Sequence, residues 1–180
     1  HTYFVGSQGL LVHNNCSEDM AKAFDAAVKN AKARGVVDPE DIINAGKKAA
    51  NMAERIFKNF TVEEMDKLKK IVIEEGQALK DAGLTNDQLG PAISGVYNKR
   101  TGKFYTAIND MDGDIPKELS PKIKDRIENM PQEVKDSYTY TYGEGSHAEI
   151  YATNKALLDD PLATTDDLLI YVNRTLGTSK

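Results

Sequence analysis

The spacing of apolar residues changes period twice along the chain. In residues 1–16, HTYFVGSQGLLVHNNC, aromatic and β-branched positions flank glycines, which predicts two short strands about a turn at Gly6-Ser7-Gln8-Gly9. From Ser17 to about Gly83 the pattern is helical. Met20, Phe24, Ala27, Val28 and Ala31 recur three and four residues apart, and Gly35 closes the run. A second helix is expected over Pro39–Asn59, with Asp38 as N-cap and Pro39 in the first turn, where its missing N–H costs nothing. Thr61-Val-Glu-Glu64 has the capping-box pattern. Met65, Leu68, Ile71, Val72 and Leu79 then line one face of a third helix that Gly83 ends.

Beyond LTNDQLGP the period falls to two. Ile93–Tyr97 and Phe104–Ile108 are short β-rich runs joined by the polar turn Asn98-Lys-Arg-Thr-Gly102, a hairpin signature. LSPKIKDRIENM predicts a short helix with Ser120 at its cap and Pro121 in its first turn. PQEVKDSYTYTYGEG reads as a connector, and His147-Ala-Glu149 opens a helix running to about Asp160. Leu168–Val172 is a continuous apolar run of strand length, as a strand buried in a mixed sheet would be. The expected organisation is a β segment over 1–16, a helical module over 17–83, and an α/β (α+β) domain over 84–180 of order β-β-α-α-β. That last domain is expected to be incomplete at the C-terminus, because no helix follows to cover the face its final strand should bury.

Composition narrows the field. A chain of 180 residues accommodates one domain, or a domain of about 100–150 residues with an appended segment. No run approaches the ~20 apolar residues of a membrane helix, so stable membrane insertion is not expected. The net charge of −5 gives no overall basic footprint, so contact with nucleic acid would have to be local. The single cysteine, Cys16, excludes an internal disulfide and a Cys-Cys zinc site within these residues. The chain begins at His1 with no signal-peptide pattern, and reads as a piece of something larger.

Ser146-His-Ala-Glu149 admits two readings. Serine at an N-cap with glutamate three residues on is a capping box, with Ile150, Ala152 or Thr153, and Leu157 as the apolar stripe. The same geometry suits chemistry: a histidine in the first helical turn can ligate zinc and a nearby glutamate can carry protons, as in zinc deaminases that pair His-x-Glu with a later Pro-Cys-x-x-Cys. The readings are compatible. Asp110-Met-Asp-Gly-Asp114 suggests a calcium loop, but Ile115 and Pro121 stand where an EF-hand needs glycine and glutamate. Tyr138, Tyr140 and Tyr142 alternate as one face of a strand would, or could stack a base at the mouth of a pocket.

The stretches SGVYNKRTGKFYTAIN, IPKELSPKIKDRI, SHAEIYATNKALLDD and DDLLIYV, across residues 90–174, resemble the YwqJ-type deaminases, toxin domains at the C-termini of bacterial polymorphic toxins. The resemblance implies a cytidine-deaminase-like fold, zinc held by His147 and a Cys-x-x-Cys pair, and Glu149 as general acid/base. The Cys pair has no counterpart here, so this fragment is expected to hold zinc poorly and to be inactive by itself. Asn109, Tyr142 and Ser146 are the candidate substrate-binding residues. The implied activity is zinc-dependent deamination of a nucleobase, as free nucleotide or in DNA or RNA, by a toxin delivered from a bacterial cell into the cytoplasm of a competitor. A cognate immunity protein is the implied partner. The alternatives are an inactive scaffold that only binds the immunity protein, and a toxin of other chemistry such as a nuclease.

A second resemblance lies at the start, where TYFVGSQGLLVHNNC is similar to the closing strands of a Hint (intein-like) pretoxin domain. Asn14 can cyclise through its side-chain amide onto its own carbonyl, and His13 can polarise that carbonyl or protonate the leaving amine. Cleavage in a precursor with the whole Hint domain would release a chain beginning Asn15-Cys16.

Overall fold

A computed structural model describes residues 3–5, 10–12, 16–132 and 145–175, with side chains from residue 20 onward. The chain divides into two compact units, 1–63 and 64–180. In the first, strands β1 (Tyr3–Val5) and β2 (Leu10–Val12) pair antiparallel, as the glycine-flanked pattern predicts. Helices α1 (Cys16–Ala33) and α2 (Pro39–Asn59) follow. They meet through small side chains: Ala23, Ala27 and Ala53 are buried, with Met20, Ala49 and Phe57 packed around them. Asp38 caps α2 as expected, its carboxylate accepting the Glu40 N–H at 2.8 Å.

The second unit contains α3 (Val62–Asp81), α4 (Asn86–Leu89), β3 (Ala92–Asn98), β4 (Lys103–Ile108), α5 (Pro121–Glu128), α6 (Ala148–Asp159) and β5 (Leu168–Arg174). It is an α+β arrangement. The sheet order is β4-β3-β5, with β3 antiparallel to both neighbours. Strands β4 and β5 therefore run the same way on either side of β3, and α5 and α6 lie on the crossover between them, a split β-α-β arrangement.

Alternation along β3 assigns the two faces. Val96 points to one side, where it joins Ile123, Ala152, Ala156, Leu157, Ala163 and Leu168 in a core cluster beneath α5 and α6. Ile93, Gly95 and Tyr97 point to the other, where α3 lies. A Cβ on Gly95 would overlap Val72 and come within 3.0 Å of Leu68 Cδ1, and one on Gly76 would stand 2.8 Å from Ile93 Cδ1. The Tyr97 hydroxyl donates to Glu64 at 2.9 Å, and Lys67 sits 5.0 Å from the Phe104 ring centre, over a ring that stacks on Tyr97.

This corrects the expectation of a bare face. The change of period at Gly83 marks a change of element type, but α3 precedes the sheet in sequence and covers it in space. Leu168, Leu169 and Tyr171 of β5 are all buried. The short helix α4 was hidden in LTNDQLGP; Thr85 and Gln88 form a reciprocal capping box around it, with N–H to side-chain distances of 2.9 and 3.3 Å.

Polar clamps fix α6. At its C-terminal end Asn98 Nδ2 and Arg100 Nε both donate to Asp160, at 3.1 and 3.0 Å. The Asn98 hydrogen bond first, and Arg100 after it, hold that carboxyl below the usual carboxylate range. Beside it the Tyr105 hydroxyl and Lys103 Nζ reach Asp159 at 2.5 and 2.9 Å. Near mid-helix, buried Asn154 accepts the Ser120 N–H at 2.8 Å and donates to the Glu118 carbonyl at 2.7 Å, tying the start of α5 to α6. Ser120 caps α5, as its sequence predicts.

Candidate active site

The N-terminal end of α6 is held against the end of β4 by one backbone hydrogen bond: the Asp110 N–H donates to the Ser146 carbonyl at 2.9 Å. That bond places Asn109, the residue after β4, beside the turn that contains Ser146 and His147. It also shifts the cap. His147, with φ −72° and ψ 143°, is the N-cap, and its carbonyl accepts the Ile150 and Tyr151 N–H groups at 3.0 and 3.2 Å. Ser146 stands one position before the cap, fully buried, and is not the expected N-cap, because its carbonyl accepts from Asp110 rather than from the first turn of the helix. Glu149 lies in the first turn, where the helix dipole favours its charge.

Close packing fixes this turn from behind. A Cβ on Gly145 would overlap the Ile115 side chain and touch Ile127 Cδ1 at 3.4 Å, so only glycine lets the backbone pass. In front, two buried side-chain atoms accept and donate no hydrogen bond among the described residues: Asn109 Oδ1 and His147 Nε2. His147 makes a further interaction. Leaving a buried polar atom unsatisfied costs about 1–3 kcal/mol. Such atoms in folded proteins call for an explanation, among them a bound water or ion or a catalytic role.

Asn109, 4% exposed, also lines a cleft of about 540 Å³. Ile108, Asn109 and Met111 form its base, α4 contributes Asp87, and α6 contributes Tyr151 and Lys155. Tyr151 and Lys155 follow His147 at intervals of four, so the cleft runs along the helix stripe that starts at the cap. His147 and Glu149 do not line this cleft. The carboxylate of Asp110 accepts the Asp112 and Asp114 N–H groups at 2.9 and 3.1 Å, so it closes a turn on itself. The Tyr151 hydroxyl donates to the Asp114 carbonyl at 2.9 Å; burial first, and then Asp110, push its pKa up.

A buried asparagine beyond a hairpin thus stands next to a His-x-Glu helix start, joined to it through the Asp110–Ser146 hydrogen bond. The sequence profile of the YwqJ-like deaminase family matches residues 76–174, more than half of the chain. The chain belongs to the YwqJ-like deaminase family. A curated relative, Toxin YwqJ of Bacillus subtilis (strain 168), is 50% identical over 105 residues, which are 58% of this chain and 17% of that protein. The match thus spans well under a fifth of the relative's length. No solved structure matches the chain.

For a YwqJ-like deaminase, zinc is the group to test against these side chains. His147 Nε2 is suited to be one ligand, being buried and hydrogen-bonded to none of the described residues. Among the described residues, no three His, Cys, Asp or Glu side chains converge to hold a metal ion. One ligand falls short of the three protein ligands that a catalytic zinc site takes, so the described residues do not make up the site. The structure brings Asn109 beside the turn of Ser146 and His147, and Glu149 follows in the first turn of α6. Tyr142, His13 and Asn14 lie outside the described residues. Sequence reasoning missed Asp87, Tyr151 and Lys155; the spacing of the last two from His147 was the available signal.

Proposed function

We propose that this chain carries a hydrolytic deaminase that replaces the exocyclic amine of a nucleobase with a carbonyl oxygen. Water adds to the amidine carbon, its oxygen remains as the new carbonyl, and the amine leaves as ammonia. Glu149 takes the proton released by the attacking water and delivers it to the departing amine. Asn109 holds the base, with Ser146 in the wall of the turn. His147 is our choice for a zinc ligand, with its remaining ligands drawn from outside the described residues; no step above depends on their geometry.

The observation that carries the reading is the Asp110–Ser146 hydrogen bond, which brings a buried asparagine with an unsatisfied oxygen to the start of the His-x-Glu helix. Family membership supports the reaction class. The likeness to a toxin supports delivery into a competitor cell and neutralisation by an immunity protein. Among the described residues no helix is long and apolar enough to cross a membrane. The test is expression of the full-length protein in a sensitive bacterium. Wild type is expected to arrest growth, and Glu149→Gln, which keeps shape but cannot carry the proton, to be harmless at equal abundance. Full toxicity of Glu149→Gln would remove the proposal.

A further inference from the structure

The cleft beside Asn109 has a charge pattern that bears on its ligand. Asp87 is exposed on α4 at one side, Asp110 stands at the other, and Asp112 and Asp114 close the same turn as Asp110. Among the described residues one cation, Lys155, lines the cleft, and its Nζ donates to the Thr106 carbonyl at 2.7 Å. A phosphate entering here would meet more carboxylates than ammonium groups. The whole chain, at net charge −5, adds no compensating field. The base of the cleft, with Ala107, Ile108 and Met111, is apolar and accepts a flat heterocycle, while the unsatisfied Asn109 Oδ1 is an acceptor for an amino or imino N–H on its edge. Carboxylates at the rim suit ribose hydroxyls, which donate. A volume of about 540 Å³ lies within the range of small-molecule sites.

We infer that this cleft takes an uncharged nucleoside, with its base against Asn109 and its ribose toward Asp87, in preference to a nucleotide or a nucleic acid. The inference rests on the deaminase reading and names the substrate class of that site. It distinguishes the cleft from binders of polyanions, which line their grooves with lysine and arginine.

The test is binding, measured on this chain by calorimetry and by amide NMR shifts. The probes are the four ribonucleosides, their 5′-monophosphates and a short single-stranded oligonucleotide. At least one nucleoside is expected to bind and to shift the amides of Asn109, Asp110 and Met111. Its monophosphate is expected to bind about threefold or more weakly at low salt, with the gap closing as salt is added. Asp87→Lys, at an exposed position, is expected to reverse the order. Tighter binding of the monophosphate or oligonucleotide, shifts confined to another surface, or no binding by any nucleoside would overturn the inference. The two readings fail separately. Nucleoside binding at Asn109 without turnover by the intact toxin would sink the deaminase and keep the cleft; turnover of a polynucleotide with no nucleoside in the cleft would do the reverse.

Discussion

Substituting Gly95 by alanine tests whether α3 is part of the domain that carries the site. Gly95 is in the central strand, and an added Cβ would overlap Val72 Cγ2 and stand 3.0 Å from Leu68 Cδ1, both on α3 and both buried. Overpacking of this kind costs about 1–3 kcal/mol, because either the helix lifts or the side chains leave their rotamers. Val72→Ala removes two methyl groups from a fully buried site, at about 0.8 kcal/mol per carbon plus a cavity cost. In the double variant the new Cβ occupies space that the valine vacated. The two losses should then fall short of their sum by at least about 0.5–1 kcal/mol. Urea unfolding followed by tyrosine fluorescence reads the right unit, since of the eight tyrosines only Tyr3 lies outside residues 64–180. Strict additivity, or a neutral Gly95→Ala, would show that α3 does not pack on β3.

Three other outcomes are expected. Residues 64–180 expressed alone should give dispersed amide NMR spectra, whereas 84–180, stripped of α3, should not; a well-dispersed spectrum of the shorter piece would contradict the three-layer arrangement. Burial, and then the hydrogen bond to Asp159, push the Tyr105 hydroxyl up to about 12 from an ordinary 10. The folded state thus keeps a proton that the unfolded chain has released, so this contribution is complete below pH 10 and is lost as pH rises toward 12. Tyr105→Phe should cost about 1 kcal/mol at pH 8, allowing for solvent screening, and should flatten the alkaline decline measured by urea titration; an unchanged decline would assign it elsewhere. Gly145→Ala should force Ile115 and the turn before His147 apart, lowering kcat of the intact toxin about tenfold or more while leaving the far end of α6 protected in hydrogen exchange.

Local signals were legible wherever one residue type answers one backbone requirement. Asp38 and Pro39 at the start of α2, Ser120 and Pro121 at the start of α5, and Gly102 at φ 71° in the hairpin all stand where propensity puts them. Strands β3 and β5 were readable as short apolar runs because both of their faces are largely covered. What the sequence concealed depends on partners distant along the chain. Nothing local to SHAE reveals that Asp110, 36 positions earlier, takes the Ser146 carbonyl and moves the cap to His147. Nothing local to α3 reveals that its apolar stripe rests on Gly95, a residue chosen for the space it leaves. The cleft was obscured for the same reason: its walls come from α4, the end of β4 and α6, and Asp87 acquires meaning only across the gap from Asp110.

The most direct measurement is the chemical fate of the amine. The intact toxin, incubated with nucleosides, nucleotides and single-stranded nucleic acid, should convert an amino group on one base to a carbonyl and release one ammonia for each conversion, followed by mass spectrometry and an ammonia assay. Glu149→Gln should abolish both signals while unfolding at the same urea concentration as wild type. Cleaved strands or glycosidic bonds with every amine retained, or undiminished ammonia release by Glu149→Gln, would contradict the account.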